Sequence, residues 1–199
     1  MVGENGTGKS TLLEALAWNA GFSGGGGNRT NEYSETDDGR LLGGALKLAW
    51  KQRVGTGFFL RAETFYNFAS YLEEVGSTFR AYGGRSLHHQ SHGEAFLALF
   101  KHRVEDGLYL LDEPEAALSP QRQLAFLRII HELASQKIAQ FIIATHSPIL
   151  LAFPGATVWS LDSGRVEEVN YRETGHYRVT RDFLEAPERF FRYLFGDDT

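Results

Sequence analysis

Apolar residues recur along this chain at two periods, and the alternation between them outlines a fold. Leu12, Leu13, Leu16 and Ala17 stand at helical spacing and predict a helix over residues 9–19. Residues 57–62 (GFFLRA) read as a short strand, after which Phe65, Phe68, Ala69 and Leu72 predict a second helix to about residue 74. A helix over residues 93–105 carries Phe96, Leu97, Leu99 and Phe100 inward, and residues 108–111 follow as a buried strand ending on acids. Pro120 suits the first position of a helix that runs through Leu124, Leu127, Ile130 and Leu133 to residue 135. Residues 140–145 (QFIIAT) are the next buried strand.

Beyond that point two strand-like runs, 157–161 and 165–171, flank Asp162-Ser163-Gly164, a hairpin turn. Two short helices, 181–185 and 187–195, close the chain. The stretch 21–44 is rich in Gly, Asn and Asp, with glycine at each position from Gly24 to Gly27, and is expected to be a mobile loop. Apolar strands alternating with amphipathic helices predict an α/β fold with a mainly parallel sheet flanked by helices. One domain over 1–199 is expected, with 21–44 as its flexible loop and 64–106 as a largely helical region.

Composition narrows this picture. The 199 residues, 42% of them apolar, suffice for one ordinary core. With 25 acids against 20 lysines and arginines the net charge is -5, so no global positive field gathers nucleic acid or anionic membrane. Any DNA contact would be a local patch. The arginines near the end, Arg172, Arg178, Arg181, Arg189 and Arg192, alternate with Glu173, Asp182, Glu185 and Glu188 and read as a solvated mixed face. The sequence has no cysteine, which excludes disulfides, thiolate zinc sites and thiol catalysis. No basic n-region with an apolar core opens the chain, and no run approaches the roughly 20 apolar residues that span a bilayer. A soluble, cytoplasmic protein without a membrane partner is expected.

Three motifs carry chemistry. Gly3-Glu4-Asn5-Gly6-Thr7-Gly8-Lys9-Ser10 fits G-x-x-x-x-G-K-[ST], a loop whose backbone N–H groups wrap phosphates at a helix N-terminus. Asn5, Gly6, Thr7, Gly8, Lys9, Ser10 and Thr11 are therefore candidate nucleotide-binding residues. Lys9 is placed to reach the β- and γ-phosphates and the Ser10 hydroxyl to ligate Mg²⁺. Leu108-Tyr109-Leu110-Leu111-Asp112-Glu113 is a buried strand delivering two carboxylates at its carboxyl end, where ligands bind in α/β sheets. Asp112 is a candidate for holding Mg²⁺, and Glu113 for polarising a water toward the γ-phosphate. The strand at 141–145 ends in His146-Ser147-Pro148, which sets His146 to hydrogen-bond the γ-phosphate or the attacking water.

In this combination the chain resembles the ATP-binding-cassette type P-loop ATPases, and among them small bacterial AAA/ABC-like ATPases related to DNA-repair and SMC-type heads. The likeness extends over nearly all of the sequence. Residues 3–10 look like Walker A, 108–113 like Walker B with its catalytic glutamate, Ala116-Ala117-Leu118-Ser119 like the D-loop, and His146 like the switch histidine. Gln90-Ser91-His92-Gly93-Glu94 stands where the family's signature loop belongs and matches it at Ser91 and Gly93 only. The resemblance implies that Ser91, Gly93 and Glu94 meet a γ-phosphate presented by a second subunit. A glutamine that senses Mg²⁺ is expected after an earlier strand. Glu63 stands at the matching strand end, with a plain surface acid as the alternative reading. His88, His89 and His92 lie close enough to be weighed as a metal cluster, but no carboxylate is spaced to complete one.

Two further expectations follow from the resemblance. A P-loop needs the strand that leads into it, and only Met1 and Val2 precede Gly3. Either that strand and an adenine-stacking aromatic lie upstream of this start, or another segment replaces the strand. The first is simpler, and an empty central position would leave unpaired edges. The implied function is Mg²⁺-dependent hydrolysis of ATP by a head-to-tail homodimer that sandwiches two nucleotides. The alternative is a nucleotide-dependent switch with little turnover that clamps DNA or a protein partner.

Overall fold

The computed structural model describes residues 1–22, 37–51, 56–62, 65, 92–104, 106–137 and 139–196. Three parallel strands, β1 (Gly57–Arg61), β2 (Gly107–Asp112) and β3 (Ala139–Ala144), form a sheet in the order β1-β2-β3. Their registers place Arg61, Asp112 and Ala144 side by side, so all three strands finish on one edge. Both faces of β2 are covered. Tyr109 and Leu111 join Phe58 and Leu60 in one core cluster, whereas Leu108 and Leu110 join Phe59 in the other. Two-sided burial is why these strands read as continuous apolar runs instead of alternating ones.

The first face is roofed by α3 (His92–Arg103) and α4 (Pro120–Ser135). Phe96, Phe100 and Phe126 meet there with ring centroids 4.9 to 5.5 Å apart, in tilted and edge-to-face arrangements. The second face is roofed by α1 (Lys9–Ala20), through Leu13, Ala17 and Ala20. Gly21 ends α1 in the left-handed conformation, and its N–H meets the Trp18 carbonyl at 3.0 Å. The expected helices at 9–19, 93–105 and 120–135 and the strands at 57–62, 108–111 and 140–145 thus stand within a residue or two of their predicted bounds. Of the helix expected from Phe65 onward only Phe65 is among the described residues, helical and buried.

One expectation is corrected in part. At the end of 21–44 the structure forms α2 (Asp37–Ala45) in place of loop, whereas residues 23–36 lie outside the described residues. Its glycines are the reason. Gly39 and Gly43, one turn apart, are buried, and a side chain at Gly43 would press within 3.0 Å of the Trp18 ring on α1. Asn19 then donates to the Gly43 carbonyl at 2.8 Å. Close approach of two helices makes glycine a packing residue here, although its low helix propensity pointed the other way.

Among the described residues no strand forms before the P-loop, as expected, and only an isolated bridge stands there. Met1 and Val2 occupy its position, paired on both sides: Thr145 N–H donates to Met1 O at 3.0 Å, Val2 N–H to Trp159 O at 2.8 Å, and Leu161 N–H to Val2 O at 3.0 Å. Val2 is fully buried and bridges Ser160 in parallel. Over these two residues the neighbours are not left open. Farther down, the β3 side of this position borders a cavity of about 410 Å³.

The hairpin expected around Asp162 is present but shorter, as β4 (Trp159–Ser160) and β5 (Glu167–Glu168), antiparallel. After β3 come α5 (Pro148–Leu151) and, at the end, α6 (Gly175–Glu185) and α7 (Pro187–Phe195). The first of that last pair begins six residues earlier than expected, because Thr174 caps it by accepting the Tyr177 N–H. Among the described residues no helix is long and apolar enough to cross a membrane.

Candidate functional site

Residues 3–8 form a loop that turns from the Met1–Val2 pairing into α1, and positive φ angles at Gly6 (82°) and Gly8 (89°) make the turn. Side chains at those two positions would meet nothing within 4 Å, so the loop presents an open concave backbone, with glycine conformations that other residues adopt only at a cost. The loop is braced from outside. Glu4 N–H donates to Asp162 Oδ1 at 2.8 Å, and Ser160 Oγ donates to Asp162 Oδ2 at 3.0 Å, so the hairpin turn holds the loop's entry. Thr7 Oγ1 donates to the Glu4 carbonyl at 2.9 Å. Lys9, only 5% exposed, folds back so that Nζ donates to the carbonyls of Gly3 at 2.7 Å and Glu4 at 3.0 Å. Its cation sits within the loop's curve, where it can meet an anion.

Next to the loop lies the carboxyl edge of the sheet. Ser10 Oγ donates to Asp112 Oδ1 at 3.2 Å, while Arg61 Nε meets Asp112 Oδ2 at 3.3 Å and the same guanidinium pairs with Glu14 of α1. Burial pushes the Asp112 carboxyl above the usual carboxylate range, with the hydrogen bond from Ser10 and the charge of Arg61 opposing that rise. Glu113 has left-handed backbone angles, φ 50° and ψ 51°, uncommon for a residue with a side chain. Two hydrogen bonds hold it there: its N–H donates to Ala144 O at 2.9 Å and its carbonyl accepts from Ala116 N–H at 3.0 Å. The turn aims the side chain at His146, whose Nε2 lies 3.2 Å from Glu113 Oε1. That nitrogen is buried and makes no well-angled hydrogen bond, so the two groups stand close without a formed bond.

His146 itself is fixed from two directions. Its backbone N–H donates to Glu115 Oε1 at 2.6 Å, and its Nδ1 lies 3.1 Å from His176 Nε2 on α6. Ser147 follows, caps α5 and donates to Gln123 Oε1 at 2.5 Å, tying the strand end to α4.

The arrangement accommodates a divalent ion and a phosphate chain. Ser10 Oγ and Asp112 Oδ1 are hard oxygen donors separated by about the spacing of adjacent ligands on Mg²⁺, about 3 Å, and the open backbone beside them suits phosphate oxygens. Of the expected site residues, the structure brings Asn5, Gly6, Thr7, Gly8, Lys9, Ser10, Thr11, Asp112, Glu113 and His146 to one end of the sheet. Gly93 and Glu94 lie on the α3 side: Glu94 pairs with Arg122 at 3.2 Å, and a side chain at Gly93 would press within 3.1 Å of Ala117 O in the turn after Glu113. Ser91 and Glu63, like His88 and His89, lie outside the described residues. Among the described residues no three His, Asp or Glu form a metal cluster.

Sequence reasoning missed Arg61, Glu14, Glu115, Asp162 and His176. Only Arg61 carried a local signal, as a cation closing an apolar strand. The other four reach the site through chain crossings that no spacing reveals.

A mainly parallel sheet, a glycine-rich phosphate loop opening the helix on one face, and an Asp–Glu pair ending the adjacent buried strand define an α/β fold of P-loop type. Residues 94–152, from the start of α3 to the turn after α5, match the family model described as "AAA domain, putative AbiEii toxin, Type IV TA system". The chain is also 40% identical over 67 residues to protein ea59 of Escherichia phage lambda, a match covering 33% of this chain and 13% of that protein. Only a small part of that relative is therefore represented. The SMC head domain from Thermotoga maritima aligns at 18% identity over 80% of this chain and 83% of its own, with a TM-score of 0.45, a weak likeness.

Proposed function

We propose that this chain is a Mg²⁺-dependent ATPase of the cassette type, hydrolysing ATP to ADP and phosphate within a head-to-tail homodimer. The observation that carries the reading is the convergence of two pairs at one sheet edge: Ser10 with Asp112, and Glu113 with His146. In this reading the backbone of residues 5–8 binds the phosphates, and the Lys9 ammonium exchanges its loop carbonyls for β- and γ-phosphate oxygens. Ser10 and Asp112 hold Mg²⁺, which neutralises charge on the phosphates. Glu113 takes the proton from the attacking water, and His146 orients the γ-phosphate or that water through Nε2. Gly93 and Glu94, at the start of α3, face the nucleotide of a second copy, which makes dimerisation part of turnover.

Replacing Glu113 by Gln removes the base and retains the shape. General-base catalysis contributes about 10²- to 10⁴-fold, so Glu113→Gln should cut steady-state phosphate release by that factor and accumulate an ATP-bound dimer in size-exclusion chromatography. Normal turnover by that variant would overturn the role of Glu113. ATP-driven dimerisation by wild type with negligible phosphate release would replace the ATPase by a nucleotide-dependent binding switch.

A further inference from the structure

The histidine pair at the site has an order that its surroundings dictate. His176 stands in the first turn of α6 with Nε2 facing two atoms at once: the Gly3 carbonyl oxygen at 3.3 Å and His146 Nδ1 at 3.1 Å. A carbonyl oxygen only accepts, so the nitrogen that faces it carries a proton. The same N–H is then directed at His146 Nδ1, which in a neutral imidazole must be the acceptor. The proton of His146 is thereby left on Nε2, the nitrogen 3.2 Å from Glu113 Oε1, where a carboxylate also favours N–H over a lone pair. The opposite assignment places a lone pair against the Gly3 oxygen and another against Glu113. Both neighbours therefore select the same tautomer.

We propose that His176 is a positioning residue that fixes His146 as its Nε2–H tautomer and so presents a hydrogen-bond donor to the reaction centre. The consequence for chemistry rests on the reading of His146 as the γ-phosphate or water partner, because phosphate oxygens need a donor. The two rings have centroids 4.6 Å apart and planes at 81°. His176 is anchored independently of the nucleotide: Thr174, buried just before it, donates to Tyr171 O at 2.7 Å and accepts the Tyr177 N–H. Because His176 also contacts Gly3, one side chain joins the entry of the phosphate loop to the histidine at the end of β3. A metal-bound histidine is oriented by the group on its other nitrogen in the same manner.

Two measurements test this. The first needs no turnover: imidazole ¹⁵N–¹H correlation spectra of the full chain at about pH 8.5, two units above the ordinary imidazole pKa of about 6.5, with His146 identified by loss of its signals in His146→Gln. The Nε2–H pattern is expected for His146 in wild type and a mixture of tautomers in His176→Phe. An Nδ1–H pattern in wild type, or no change in His176→Phe, overturns the proposal. The second is kinetic. His176→Phe retains a planar ring without a donor, and His176→Gln retains a donor without the ring. The expected result is a fall in kcat of about 10-fold or more for His176→Phe, equal to about 1.4 kcal/mol, with ATP affinity unchanged and kcat largely restored in His176→Gln. Equal losses in both variants would make His176 a packing residue. If wild type releases no phosphate, the ATPase reading fails, while the spectra still decide the tautomer.

Discussion

Ser10 and Asp112, 102 positions apart in sequence, meet at 3.2 Å through a hydrogen bond from hydroxyl to carboxylate. The bond ties the first turn of α1 to the end of β2, and the buried carboxylate it reaches has a thermodynamic consequence. Burial raises the Asp112 pKa in the folded chain above its unfolded value. The folded state therefore holds the proton more tightly, and this group's contribution to stability is complete below the unfolded pKa and is lost as pH rises through the folded one. Without divalent ions Asp112→Asn should melt at a higher temperature than wild type near neutral pH, with the gap narrowing as pH falls toward the ordinary carboxylate range. Thermal melts of both proteins in chelator, across that interval, measure it. A variant less stable than wild type at neutral pH would contradict the assignment.

Lys9 donates to two carbonyls of its own loop, so its cation already lies within the curve of that loop. A charged hydrogen bond contributes about 1.5 to 3 kcal/mol, and losing one such contact to phosphate weakens binding by roughly 10- to 150-fold. Lys9→Ala should show that loss of ATP affinity in calorimetry while still folding, since the Gly3 carbonyl keeps His176 Nε2 beside it and the Glu4 carbonyl keeps its bond from Thr7 Oγ1. Unchanged affinity would remove Lys9 from the phosphate cradle.

Much of this site was legible because three strands end on the residues that carry the chemistry. Apolar runs closed by Asp112-Glu113 and by His146, with a P-loop ahead of them, place the groups at one sheet edge through topology alone. Helix α2 was hidden, since glycines that permit close packing against Trp18 look like glycines that permit mobility. The pairing of Met1 and Val2 was hidden for another reason: their partners are Thr145, Trp159 and Leu161, far along the chain. Arg61, Glu115, Asp162 and His176 act through contacts spanning 31 to 173 positions, which local pattern does not encode.

Gly57 opens β1 at φ 131°, a region that disfavours side chains, and a methyl group there would overlap the Leu108 carbonyl oxygen on β2. The two strands pair at this point, Gly57 against Leu108. Gly57→Ala should cost at least about 2 kcal/mol, in the range of strained backbone and broken packing. Chemical denaturation reads the loss directly; a change under 0.5 kcal/mol would mean that β1 starts elsewhere.

Arg61 supplies the cation between two acids that are scarcely exposed, Glu14 at 5% and Asp112 at 7%. Taking one member out of a buried ionic cluster costs about 3 to 5 kcal/mol, because the remaining charges lose their compensation. Arg61→Ala should destabilise the metal-free chain by about that amount and drive Asp112 further toward its protonated form. The cost should depend on Asp112 itself. Neutralising that carboxylate first removes one of the two charges that Arg61 offsets, so Arg61→Ala should be less damaging by at least about 1 kcal/mol in an Asp112→Asn background. A double-mutant cycle by urea denaturation in chelator measures this coupling. Strict additivity would mean that Arg61 serves Glu14 alone and that Asp112 is held for its ligand by Ser10 without help from the guanidinium.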